Sequence, residues 1–273
     1  MTPEAIAAVE SSLVSVRFLG CSTRVAPALA VALAKVEAAL HAEWQRTMLA
    51  LPGGAPAPTF AGWHGVRGVG GYRKAAGWHG KGLAIDLNYS TNGYAVCRTR
   101  TARGVVLGGE AAGAGLIGVR EAFMAACDRA CMALDGRPAD LSARKHGEST
   151  GEVWDRWHRV SDAVVKYLAP YYPSTDALDV GEADHFAWID PADIPAQVAT
   201  DYQALRVPLV IGQPLPDPRT TRNPARGLMD LPRHVAVAMT DVGDLRWGMA
   251  DFARESGDGM HFDTASKIAS GAV

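Results

Sequence analysis

Apolar residues recur at helical spacing in several parts of the chain. The clearest case lies between about residues 26 and 48, where one stripe holds Leu29, Leu33, Val36 and Leu40. Such a stripe predicts an amphipathic helix that buries one side. Further helices are predicted after Thr2, at about 119–134, at about 151–169, from Asp190 to about Leu205, and after Asp230.

Short polar and proline signals mark the ends of these segments. Thr2 can cap the first helix, and Pro3 suits its opening position. Ser149 and Glu152 have the spacing of a capping box, which predicts that a helix begins there. The glycine- and proline-rich stretch 52–58 ends the long helix. Surface connections or loops are also predicted at 104–118 and 214–224.

Alternation of period two predicts strands at 14–18 and 83–88. In the second strand, leucine and isoleucine side chains share one face, and Asp86 points to the other. His79 lies just upstream and is followed closely by two glycines. Glycine costs about 1 kcal/mol relative to alanine in a helix interior, so a helix is unfavourable here. We therefore predict that His79 lies in a loop and that Asp86 points into a cleft beside it.

Composition narrows the function classes. The chain has 273 residues, of which 48% are apolar and 21% charged, with a net charge of -2. This balance is typical of a globular protein and offers no basic surface, so neither nucleic acid nor anionic lipid is an expected partner. The most apolar segment, 25–40, is interrupted by Lys35 and Glu37 and is too short to span a membrane.

The N-terminus and the cysteines bear on cellular location. Glu4 and Glu10 replace the basic region of a secretory signal, and no cleavable apolar core follows. We therefore expect synthesis in the cytoplasm without a signal peptide. No cysteine belongs to a CxxC or CxxH pair, so reduced thiols are expected rather than structural zinc. The four cysteines are Cys21, Cys97, Cys127 and Cys131.

The histidines and carboxylates point to metal chemistry. The chain has no H-E-x-x-H helix and no G-x-S-x-G elbow. It has instead His79 seven residues before Asp86, and Asp258 three residues before His261. Two imidazoles and one carboxylate form a three-ligand catalytic zinc set that leaves a fourth position for water. Zinc lowers the pKa of such a water from about 15.7 to about 7. Asp258 can take its proton and pass it to a leaving amine.

Other interpretations of these residues stay open at this stage. Asp258 could orient His261 instead of moving protons. Arg73 could bind a substrate carboxylate or a developing oxyanion, or it could pair with a surface carboxylate. His64 is a rival ligand without an acid at the right spacing, so a structural or cleft-lining role is favoured. A second acid–histidine cluster, weakly indicative of another metal site, is Glu182, Asp184 and His185.

The pattern H-x-x-G-x-A-x-D, from His79 to Asp86, resembles that of the M15 metallopeptidases. This group contains the D-alanyl-D-alanine carboxypeptidases and the L-alanyl-D-glutamate endopeptidases of peptidoglycan. The upstream Gly-Tyr-Arg that ends at Arg73 and the terminal D-x-M-H-F that contains Asp258 also match. The resemblance covers about residues 60–100 and 240–263. Departures from the family pattern are Gly77 in place of a serine and Gly93 where a proline is common.

The resemblance implies a zinc site and a reaction. Zinc would be bound by His79, Asp86 and His261, with Asp258 as general base and Arg73 as a substrate or oxyanion group. The implied activity is hydrolysis of an amide bond in peptidoglycan stem peptides, with exo- or endopeptidase specificity left open. The alternative is a non-catalytic zinc-containing module of the same fold that binds a cell-wall or protein ligand.

The resemblance also implies a fold and a setting. We expect one α+β peptidase domain over 1–273, in which a small antiparallel sheet carries the ligands and helices surround it. DD-peptidases and Hedgehog signalling domains share this fold. Residues 119–210 are expected to be a helical insertion between the two halves of the site. Without a signal peptide, the enzyme would reach the wall after lysis or through a phage-like or secretion machine, or it would act inside the cell.

Overall fold

The computed structural model describes residues 2–52, 56–74, 77–95, 112–174, 189–206, 222–252 and 257–264. Its α-helices are α1 (Pro3–Ser12), α2 (Pro27–Leu49), α3 (Phe60–His64), α4 (Ala112–Asp135), α5 (Thr150–Leu168), α6 (Ala196–Leu205), α7 (Arg233–Val237) and α8 (Gly248–Asp251). Its strands are β1 (Val14–Phe18), β2 (Cys21–Val25), β3 (Val69–Gly70), β4 (Ala84–Leu87), β5 (Tyr94–Ala95), β6 (Arg246–Trp247), β7 (Gly257–Asp258) and β8 (His261–Asp263). Helices mixed with small antiparallel sheets agree with the predicted α+β class.

The chain divides into two compact units. The first consists of Met1–Asn88, Leu231–Trp247 and Met260–Val273. The second consists of Tyr89–Asp230 and Gly248–Gly259, a range that contains the predicted insertion 119–210.

The first unit begins with a helix and a hairpin. Thr2 caps α1 as predicted, because its Oγ1 accepts a hydrogen bond from the amide of Ala5 at 3.3 Å. The predicted strand β1 is present and pairs antiparallel with β2, which the sequence analysis did not predict. The amide of Leu19, in the turn between them, donates to Glu37 Oε1 on α2 at 3.0 Å. The apolar stripe predicted for α2 is buried.

A four-stranded antiparallel sheet in the order β3-β4-β8-β6 forms the centre of the first unit. Ile85 pairs with Phe262, which in turn pairs with Trp247. All three are fully buried, and the Trp247 and Phe262 rings stack with centroids 6.1 Å apart. Successive residues of a strand point to opposite faces, so Asp86 and His261, which also pair with each other, lie on the other face. The predicted alternation around Asp86 is confirmed.

The segment before β4 is more ordered than predicted. His79–Lys81 form a 3-10 turn rather than a plain loop, and Gly82 ends it in the left-handed region at φ 68°. A Cβ at Gly82 would lie 2.4 Å from Leu13 Cδ2 and 2.8 Å from the amide nitrogen of Ala26. The Gly82 carbonyl accepts a hydrogen bond from that same amide at 2.9 Å. Glycine is needed here because the turn touches the chain at the start of α2.

The first unit also contains the last predicted helix. Pro232 precedes α7, as the Asp-Leu-Pro sequence predicts, and a π-helical turn, Ala238–Val242, continues it. A Cβ at Gly243 would lie 2.9 Å from Val36 Cγ2, so α2 and this turn pack closely. The helical end therefore packs against the buried stripe of α2.

The second unit is built on the packing of α4 against α5 and α6. Residues 112–118, predicted as part of a connection, belong to α4, which begins at Ala112. Helix propensity is a weak preference that tertiary packing overrides, so a glycine-rich start does not prevent the helix. The capping box before α5 is confirmed, since Ser149 and Glu152 bond reciprocally. Pro191–Asp193 form a separate 3-10 turn, and α6 begins only at Ala196.

A buried carboxylate joins the three helices of the second unit. Asp201 on α6 is fully buried and accepts two parallel hydrogen bonds from Arg129 on α4, at 2.9 Å and 2.5 Å. It also accepts one bond from Tyr167 on α5 at 2.8 Å and one from Gln197 at 2.9 Å. Burial and the bond to Asp201 raise the pKa of Tyr167 to about 12. Hydrogen bonds thus satisfy this carboxylate inside the helical packing.

Several expectations concern residues outside the described ranges. Cys97, the Glu182, Asp184 and His185 cluster, and most of the proline-rich stretch 214–224 lie there. Cys21, Cys127 and Cys131 are free thiols. Within the described part of the chain, we find no helix with the length and apolar character that a membrane crossing requires.

Candidate metal centre

Three buried side chains of the first unit meet on one face of the sheet. The 3-10 turn supplies His79, β4 supplies Asp86, and β8 supplies His261 opposite Asp86. His79 Nε2 lies 3.0 Å from Asp86 Oδ1 and 3.1 Å from His261 Nδ1. His261 Nδ1 lies 3.2 Å from Asp86 Oδ1. The sequence-predicted ligands therefore form one cluster, and that cluster could hold a metal ion.

The donor triangle fits a small transition-metal ion. Metal–ligand distances of about 2.0–2.1 Å in tetrahedral geometry put two donor atoms about 3.3 Å apart. The three observed separations, 3.0, 3.1 and 3.2 Å, are close to that value. Two imidazole nitrogens and one carboxylate oxygen are also the donor types that such ions prefer. Three protein ligands leave a fourth position open for water or substrate.

Two of the three candidate ligands, His79 and Asp86, have partners in the loop before the 3-10 turn. His79 Nδ1 lies 2.8 Å from the Gly71 carbonyl oxygen. A carbonyl can only accept, so Nδ1 carries the proton and the Nε2 lone pair faces the cluster. Arg73 Nη2 forms a short ion pair with Asp86 Oδ2, on the side away from the histidines. The structure thus brings Arg73 to the cluster.

His261, the third candidate ligand, has a partner that was not predicted from the sequence. His261 Nε2 lies 3.2 Å from Asp263 Oδ2. Asp263 in turn accepts two hydrogen bonds from Arg246, at 2.9 Å and 2.8 Å. Residues two apart on a strand share a face, so the H-x-D spacing on a strand was a usable signal.

Electrostatics favour the ionised form of Asp86. Burial alone would raise the pKa of its carboxyl, but the neighbouring His261 and His79 side chains lower it more, and the net direction is down. Asp86 is therefore a carboxylate at neutral pH. An ionised carboxylate is the form that coordinates a metal ion.

Asp258 belongs to the second unit. It lies in β7, which pairs with β5, and its side chain is buried. A Cβ at Gly248 would lie 2.4 Å from the Asp258 carbonyl oxygen, so a glycine at position 248 allows β7 to lie this close. Along the chain, Asp258 precedes the ligand His261 by three residues. Its role as general base stays a prediction.

His64, the rival ligand, lies outside the cluster. Its Nδ1 accepts a hydrogen bond from the amide of Val66 at 3.0 Å, and its ring packs edge-on against Phe60. Burial, followed by the nearby His234, lowers the pKa of His64, so its ring is neutral. These contacts support a structural role.

Comparison with protein-family models, curated proteins and solved structures gave no match. Any function assigned to this chain therefore depends on its own residues. The strongest of these are the three buried donors on the sheet.

Proposed function

We propose that this protein is a zinc peptidase of the M15 type that hydrolyses an amide bond in peptidoglycan stem peptides. One observation carries the proposal: His79, Asp86 and His261 meet in one buried cluster, although 175 residues separate the last two. These are the residues to which the M15 resemblance assigns the metal. The proposed fold is that of DD-peptidases, since an antiparallel sheet bears two ligands on adjacent strands.

Zinc is the proposed ion because two imidazoles, one carboxylate and an open position are its usual catalytic set. When bound, zinc supplies the Lewis acidity that activates water at neutral pH. The protein holds Asp86 ionised, the form that coordinates a metal ion. The Gly71 carbonyl orients His79 from outside the cluster.

Two further residues have proposed roles in the reaction. We assign Asp258 the general base that takes a proton from the attacking water and delivers it to the leaving amine nitrogen. The support is its place three residues before His261 along the chain. The Arg73 side chain is 55% exposed while it contacts Asp86. Its guanidinium can therefore also reach a substrate carboxylate or a developing oxyanion.

The substrate proposal also sets where the protein acts. Peptidoglycan lies outside the cytoplasmic membrane, and the routes that we propose to it are lysis and a phage-like or secretion machine. Such a machine would be its protein partner.

The test is digestion of purified muropeptides by the zinc-loaded protein, with and without chelator, followed by mass spectrometry. Loss of a terminal alanine would identify a carboxypeptidase, and an internal cut an endopeptidase. Either result, abolished by chelator, supports the proposal. Saturable binding of intact muropeptides would favour the non-catalytic module. Neither binding nor cleavage by zinc-loaded protein would overturn the assignment to peptidoglycan.

Variants assign the roles. His79→Ala and His261→Ala should lose both bound zinc and activity, because each removes a ligand. Asp258→Ala should keep zinc and lose about 10²–10⁴-fold in kcat, the usual contribution of general acid–base catalysis. His146→Ala, an exposed histidine, is the control and should change nothing. If Asp258→Ala stayed fully active, the general-base assignment would be wrong.

A further inference from the structure

The outer nitrogen of His261 faces a built arrangement of charges. Asp263 Oδ2 lies 3.2 Å from His261 Nε2, and the Asp263 side chain is fully buried. Arg246 Nε and Nη2 donate to the two Asp263 oxygens at 2.9 Å and 2.8 Å. The three residues form a continuous series, Arg246–Asp263–His261, that ends at a metal donor atom.

The sheet holds Asp263 from both sides. In the strand register, Asp263 pairs with Arg246 on β6 and with Ala84 on β4. The amide of the next residue, Thr264, donates to the Leu83 carbonyl at 3.1 Å. Arg246 and Asp263 are therefore direct cross-strand neighbours of opposite charge.

This geometry determines how His261 presents its other nitrogen. A carboxylate that accepts from Nε2–H keeps the proton on that atom, so the Nδ1 lone pair faces His79 and Asp86. A carboxylate also makes the imidazole a stronger electron donor. Removal of such an outer partner commonly lowers metal affinity about 10–100-fold. Arg246 neutralises Asp263, whose burial as an isolated charge would be costly.

We propose that Asp263, held by Arg246, is a positioning residue that sets the tautomer and ring orientation of His261 and thereby the affinity of the centre for zinc. This inference rests on the proposed function only in that the cluster binds zinc. It adds a second acid with a different role from that proposed for Asp258. If Asp263 had no such positioning role, the Arg246–Asp263 pair would be only a structural ion pair across two strands.

The second unit contains a matched control. Asp201 is also fully buried and also accepts two parallel bonds from an arginine, Arg129. The two arginine side chains are similarly exposed, at 33% for Arg246 and 41% for Arg129. Asp201 also accepts hydrogen bonds from Tyr167 and Gln197, and neither of these residues is a histidine. Loss of a buried Asp–Arg pair can therefore be separated from loss of support for a ligand.

The experiment measures zinc affinity of the full chain against a chromophoric competing chelator, and the absorption spectrum of the cobalt-loaded protein. Asp263→Asn, which keeps the volume, should lower zinc affinity about 10–100-fold and change the cobalt d–d bands. Asp201→Asn should lower the unfolding midpoint but leave affinity and spectrum unchanged. Wild-type affinity in folded Asp263→Asn protein would overturn the proposal.

A milder pair of variants covers the case in which Asp263→Asn does not fold. Arg246→Met removes the charge at similar length, whereas Arg246→Lys retains one donor for Asp263. We expect reduced zinc affinity in Arg246→Met and partial recovery in Arg246→Lys. Equal, wild-type affinities in both would overturn the proposal, because a positioning role requires Asp263 to be held.

The outcomes also separate this inference from the proposed function. If wild-type protein cleaves muropeptides and Asp263→Asn binds zinc as tightly, the positioning role alone fails. If zinc affinity depends on Asp263 but no muropeptide is bound or cleaved, the peptidoglycan assignment alone fails. If wild-type protein binds no zinc, both fail.

Discussion

Arg73 combines a fixed contact with an exposed head. Its guanidinium pairs with Asp86 Oδ2, yet 55% of the side chain is exposed to solvent. A group that touches both a ligand and solvent can hold the ligand, bind the substrate, or do both. The two roles change different measured quantities.

We predict that Arg73→Met lowers kcat/KM for muropeptide cleavage by about 10²–10³-fold, the usual loss when a group that stabilises developing charge is removed. Zinc affinity should stay within about fivefold of wild type, a smaller loss than in Asp263→Asn, because more than half of the Arg73 side chain is in solvent and an exposed ion pair contributes only about 0–1 kcal/mol. Steady-state kinetics at saturating zinc and a chelator competition provide the two measurements.

The neighbouring Lys74 is the control for Arg73. It is exposed and pairs with Glu10, away from the ligands, so Lys74→Met should be neutral in both assays. A loss of zinc affinity in Arg73→Met, with unchanged turnover per bound zinc, would contradict the substrate role. Arg73 would then serve to hold Asp86.

At the residue level, sequence spacing predicts features that depend on local backbone geometry, such as the face of a strand to which a side chain points. Asp86 could be placed on the polar face of its strand because alternation has a fixed period. Its pairing with His261 depends on strand register over 175 residues, which alternation alone does not specify. Asp263 was missed because an acid two residues after a histidine is unremarkable until a strand is known to run through both.

The elements that bring the candidate ligands together approach each other closely, and Gly82 lies at one such contact. It ends the 3-10 turn of His79 at φ 68°, and an added Cβ would meet Leu13 and the amide of Ala26. We predict that Gly82→Ala lowers the free energy of unfolding of the first unit by at least about 1–2 kcal/mol, from left-handed backbone strain alone. The contacts of the new Cβ with Leu13 and Ala26 add to this loss of stability. Denaturant unfolding, followed by tryptophan fluorescence, measures the free energy of unfolding.

Gly77 separates backbone strain from the clash. It is also left-handed, at φ 93°, but a Cβ there would have no heavy atom within 4 Å. Gly77→Ala should therefore be less destabilising than Gly82→Ala. Equal losses of stability in the two variants would show that contact with Leu13 and Ala26 does not matter.

Elements with strong local signals were predictable, and elements that depend on packing were not. The capping box at Ser149 and Glu152 and the stripe on α2 involve residues close in sequence, and both predictions hold. The strand β2 has only a weak apolar alternation, Cys21 and Val25 with Thr23 between them, and it pairs antiparallel with β1. The first turn of α4 is glycine-rich, so local propensity did not predict it, whereas α4 as a whole packs against α5 and α6.

At the scale of the whole molecule, the three candidate ligands come from two distant segments of the chain that belong to one unit. His79 and Asp86 belong to Met1–Asn88, and His261 to Met260–Val273. A bound ion would therefore connect the two ends of the first unit. The helices α4, α5 and α6 contribute no ligand to the cluster.

We predict that zinc protects the first unit selectively from hydrogen exchange. An ion present at about 1,000 times its Kd stabilises the folded state by about 4.1 kcal/mol, because it binds that state alone. Amides of β4 and β8, whose pairing places Asp86 beside His261, should exchange much faster after chelation. Amides of α5 should exchange at the same rate with and without zinc. Equal acceleration in α5 would mean that both units open together, and His261→Ala should abolish the zinc effect in β4 and β8.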